Sequence, residues 1–181
     1  MSSWNALKGV HDWYAESAAA VISSGGAVVP SVMVLARSRQ PGGLMCIPLT
    51  SATTSHLFAA ADDGPLLSLA SALVTGHGAE ARTFERVAGL ASWGLLVLSQ
   101  AWVVARYAVS AHDPTASLEL QSPQEALVLT FHTPFGSRSV VHPIAAAPRR
   151  CALVPFPSAH APTVLVRHVN AAAAPRVTAL H

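Results

Sequence analysis

With 181 residues the chain is long enough to bury a core without staples, and its two cysteines, Cys46 and Cys151, fall in no CxxC or CxxxH pattern that would mark a cysteine metal centre. Only 11% of residues are charged while 51% are hydrophobic, and the mean hydropathy is +0.42, so the chain is greasier than an ordinary soluble domain with its roughly 25% charged residues. A net charge of +2 excludes a strongly basic nucleic-acid domain, yet the charge is polarised: every Asp and Glu lies at or before Glu125, and Arg138, Arg149, Arg150, Arg167 and Arg176 follow it.

Residues 4–24 place Trp4, Leu7, Tyr14, Ala18, Val21 and Ile22 mostly at three- and four-residue steps, which predicts an amphipathic helix. Ser2 or Ser3 caps its start and Gly25-Gly26 stops it. His11 falls on the apolar stripe and is expected to be a core or interface histidine satisfied by one hydrogen bond. Residues 27–36 are apolar on both alternate faces, as in a central strand covered on both sides, with Pro30 at a bulge or outside the ladder. A turn at 37–43 returns the chain as a second strand over 44–49, and residues 50–55 read as a Ser/Thr connector.

Asp62-Asp63-Gly64-Pro65 opens a helix with Leu66, Leu69, Ala70, Leu73 and Val74 on one face, and the acidic pair reads as its cap rather than as a catalytic dyad. Gly76-His77-Gly78 breaks that helix, with His77 facing solvent, and residues 80–91 form another. Residues 93–109 predict a long, largely buried strand kinked near Ser99-Gln100. Three more strands follow at 125–133, 138–145 and 150–156, joined by turns containing Pro134, Gly136 and Pro148. The uncharged runs 17–36 and 87–105 approach the ~20 residues of a bilayer span. Glycines, Pro30 and Gln100 interrupt them, so each reads as a helix end running into a buried strand, and no secretory signal leads the chain.

This order predicts an α+β fold: an antiparallel sheet of about five to six strands with helices on one face, in the order α-β-β-α-α-β-β-β-β. One domain is expected over 1–156, followed by a Pro/Ala-rich extension over 157–181. Within the extension 163–169 reads as a strand suited to docking on a sheet edge through Val164, Leu165, Val166 and Arg167. The expected core comprises Trp4, Leu7, Tyr14, Val21, Val32, Val34, Ile47, Leu69, Leu73, Phe84, Leu96, Val97, Leu98, Trp102, Val104, Leu127, Leu129 and Val154.

Motifs that carry chemistry are sparse. There is no GxSxG, SxxK, GxGxxG or P-loop run, so the sequence assigns no catalytic residue and no cofactor. The metal candidate is His132 with His142, mirrored about a turn centred near Ser137, with His112, Asp113, Glu119 or Glu125 as a third ligand. Arg138, Arg149 and Arg150 are the candidate anion or nucleic-acid contacts.

Low charge, surplus apolar residues and the extension favour a non-enzymatic interaction or assembly protein, an oligomeric adaptor or structural component. Its expected partner is a second copy or a larger protein assembly, rather than nucleic acid or membrane. Its expected place is the cytoplasm or a particle assembled there. A metal-dependent, hydrolase-like enzyme built on His132 and His142 is the alternative, and a weak nucleic-acid binder through the basic C-terminal third is a second.

Overall fold

A computed structural model describes residues 3–38, 43–59, 63–108, 117–119, 123–158 and 164–168. The helices are α1 (Ser3–Ser23), α2 (Ser51–Ala59), α3 (Gly64–Thr75) and α4 (Ala79–Ala88). The strands are β1 (Ser31–Arg37), β2 (Leu44–Pro48), β3 (Ser92–Ala108), β4 (Ser117–Glu119), β5 (Gln124–Thr133), β6 (Gly136–Ala146), β7 (Arg149–Cys151) and β8 (Val164–His168). They pair antiparallel in a curled sheet of order β2-β1-β3-β5-β6-β7, with β4 and β8 added to β3. The α+β class and the antiparallel sheet are as the sequence pattern predicts.

Alternation along β1 and β3 sets the layers. Met33, Leu35, Leu96 and Leu98 point to one face, where Leu7, Ala15, Ala18 and Ile22 of α1 meet them together with Leu127, Leu129 and Phe131 of β5. Val32, Val34, Leu95 and Val97 point to the other, against Ala70 and Leu73 of α3, Leu57 of α2 and Phe84 of α4. The helices therefore form two layers, where one was expected. A strand apolar on both faces needs cover on both, and β1 is such a strand.

Three local expectations change for identifiable reasons. Residues 50–55 are not a connector but the start of α2: the Thr53 N–H reaches Thr50 Oγ1 at 3.3 Å, and the Thr54 N–H makes the first helical bond to the Thr50 carbonyl at 2.9 Å. Thr50 thus acts as an N-cap. The expected strand 150–156 is cut to three residues by side-chain competition, because after the Ala152 N–H bonds the Pro143 carbonyl the Val154 N–H turns to His142 Nδ1. Val21 and Val154, placed in the core by pattern, are 42% and 39% exposed. The buried stripe of α1 runs Leu7, His11, Ala15, Ala18 and Ile22, which leaves Val21 off the stripe.

The uncharged runs 17–36 and 87–105 divide between helix and strand, α1 with β1 and α4 with β3. Among the described residues no helix is long and apolar enough to cross a membrane.

Gly94 of β3 is where the sheet is tightest. A Cβ there would be driven into the main-chain carbonyl oxygen of His132 on β5, with Leu35 Cδ1 behind it at 3.5 Å. Backbone held in a ladder yields little, so Gly94→Ala is expected to cost about 3 kcal/mol, at the upper end of ordinary overpacking. Urea unfolding measures this, and an unchanged midpoint would show that β3 and β5 separate freely at this point.

Candidate functional site

The β5–β6 hairpin decides the metal candidate. Its ladder closes at Thr133↔Gly136, so Pro134-Phe135 form the turn, and Gly136 takes the left-handed conformation (φ 102°) that follows it. The turn is therefore centred two to three residues before Ser137. His132 pairs with Ser137 and His142 with Leu127, five register positions apart. An odd separation puts the two side chains on opposite faces of the sheet. His132 and His142 cannot share an ion, and the expected pair is corrected on that ground.

His132 is buried, with Nδ1 2.7 Å from Ser137 Oγ; burial lowers its pKa, against a smaller raising effect of the Asp63 carboxylate. Of the proposed third ligands, His112 and Asp113 and the side chain of Glu119 lie outside the described residues. Glu125 is already taken. It accepts from Gln100 Nε2 at 2.7 Å and holds Arg149 through two bonds of 2.8 and 3.1 Å. Among the described residues no three His, Cys, Asp or Glu side chains come together as a metal site.

What the fold does bring together is His142 with His11. The first points from β6 toward α1, the second from α1 toward the sheet, and their ring centroids are 5.1 Å apart. Both are buried, His11 2% and His142 0% exposed. His11 Nδ1 bonds Asp12 Oδ1 at 2.9 Å, and Asp12 is in turn paired with Lys8. The single hydrogen bond expected of His11 is thus present. Phe156 lies 5.2 Å and Phe131 6.5 Å from the His11 ring, and Trp4 meets Phe156 at 5.1 Å with the rings tilted by 45°. Burial among these rings lowers the pKa of His11, and burial with the neighbouring His11 carries His142 down to about 4. Both rings are neutral at pH 7.

The three arginines do not form one patch. Arg138 bonds the Ser158 carbonyl at 2.8 Å and lays its guanidinium over the Trp4 ring at 4.7 Å. Arg149, paired in register with Ala146, is spent on Glu125, whose pKa it lowers, and eight residue steps along β6 separate the two positions, about 26 Å of strand. Arg150 stands at a groove of about 590 Å³ between Ala19, Ala20 and Ser23 of α1 and residues 151–153.

Nucleophile chemistry finds no activated thiol. Burial pushes the Cys46 thiol up to about 11 and the hydroxyl of its partner Tyr14 up to about 12, and burial also raises Cys151. Of the docking segment, Val164, Leu165, Val166 and Arg167 lie in β8, opposite Tyr107, Arg106, Ala105 and Val104 of β3. Sequence reasoning missed the His11–His142 approach. Its only signal was a histidine on the apolar stripe of a helix and another at an inward strand position.

No family model, curated protein or solved structure matches the chain.

Proposed function

We propose that the chain is a non-enzymatic assembly protein that self-associates by exchanging its C-terminal strand. One observation carries this reading: Val103 pairs with Gln124 of β5 on one side and with His168 of β8 on the other. β8 therefore lies on the β3 edge that β1 occupies only as far as Ser31↔Leu98. It completes a ladder that the body of the sheet leaves open, and a main-chain ladder accepts the same strand equally well from a second copy. Closed homodimers are the commonest product of such an exchange. Exposed apolar side chains at Trp13, Leu67, Val87 and Phe135 add surface that association would cover.

Full-length protein is expected to scatter light as at least a dimer at micromolar concentration. A chain ending after Ser158 keeps Phe156 in the core and leaves its terminal carboxylate where the Ser158 carbonyl meets Arg138; it should fold and run as a monomer. Leu165→Pro should reproduce most of that loss by removing a backbone donor, while Arg167→Gln with Arg176→Gln should change the mass little. A clean full-length monomer, or a proline variant that assembles normally while the glutamine variant does not, overturns the proposal.

A further inference from the structure

His11 Nε2 and His142 Nε2 are buried and have no hydrogen-bond partner among the described residues. Buried polar atoms in folded proteins are almost always bonded, to protein or to an internal water. The bond at the other nitrogen of each ring fixes what each unpartnered atom is. His142 Nδ1 accepts the Val154 N–H at 2.9 Å, so the neutral ring carries its proton on Nε2, and that atom is a donor. The Asp12 carboxylate can only accept, so His11 donates through Nδ1 and its Nε2 is a bare acceptor. One donor and one acceptor therefore stand on two rings 5.1 Å apart, each ring pinned by its Nδ1 bond and unable to swing onto the other.

We propose that His11 and His142 hold one internal water between them, which accepts from His142 Nε2–H and donates to His11 Nε2. That water joins α1 to β6 across an otherwise apolar layer walled by Phe131 and Phe156. The same proton placement argues against a metal. A cation on His142 Nε2 needs the lone pair there and the proton on Nδ1, where it would face the Val154 N–H, donor against donor. Lys8 and Asp12 on α1 are the charged neighbours of the pair, and they are bonded to each other.

Full-length ¹⁵N-labelled protein at pH 7.5 tests this by NMR. Long-range ¹H–¹⁵N spectra should show His142 as the Nε2–H tautomer and His11 as the Nδ1–H tautomer. The His142 Hε2 proton should show a cross-peak at the water frequency with the sign of a water that tumbles with the protein. Stoichiometric zinc or cuprous ion should leave both ring spectra unchanged. Matching tautomers on the two rings, a direct scalar coupling between the two Nε2 atoms, no long-lived water, or a metal-induced loss of the Hε2 proton each overturn the proposal.

Discussion

Phe131→Ala is expected to destabilise the protein by about 4 kcal/mol, read as a lower urea midpoint with an unchanged slope. Phe131 is 1% exposed at the centre of the α1 face of β5. Its ring meets Phe156 edge-on at 5.5 Å and lies 6.5 Å from His11. The loss combines the transfer of a buried ring with a cavity that its neighbours are poorly placed to fill, because β5 is fixed on both sides by ladders and Phe156 ends a segment tied to β6. Val87→Ala, on α4 and 82% exposed, provides the contrast and should stay within about 0.5 kcal/mol. Similar costs at the two positions would mean that β5 does not form the centre of the core.

Local pattern carries the fold far in this chain, and it fails where a side chain replaces a backbone partner. The uninterrupted Val and Leu runs of β1 and β3 announce strands buried on both faces, and Gly76-His77-Gly78 separates two helices as its glycines demand. α2 escaped notice because SATTSHLFA has little amphipathic contrast and Ser/Thr residues suit a turn as well as a cap; only the Thr50 geometry tells them apart. The site was misread through one turn. Placing its centre near Ser137 rather than at Pro134-Phe135 exchanges faces for one of the two histidines, since side chains alternate with a period of two. The partner that His142 does meet sits on α1, more than a hundred residues away in sequence. No short-range pattern encodes that approach, which follows from α1 covering the β5–β6 face.

Acid should unfold this protein earlier than its carboxylates require. His11, His132 and His142 are all buried and all have pKa values below 6.5, His142 falling to about 4. Each holds its proton less tightly in the fold than in the unfolded chain, so the unfolded state binds more protons as pH falls through about 6.5 and stability rises with pH there. The contribution of His142 is fully present above pH 6.5, shrinks as pH falls, and by pH 4 has cost about 3 kcal/mol. Asp12, held down chiefly by Lys8, and Glu125, held down chiefly by Arg149, work in a lower window, because a carboxylate with a depressed pKa loses its stabilising effect only below its ordinary value of about 4. The interval from pH 6.5 to 4.5 therefore reports the histidines. Urea unfolding of the wild type is expected to lose at least about 2 kcal/mol across it, and His142→Leu should flatten the slope by close to one proton whatever its stability at pH 7.5. A wild-type stability that stays level from pH 6.5 to 4.5 would mean that His142 is protonated in the fold, and that neither its Nδ1 bond to the Val154 N–H nor its place against His11 holds in solution.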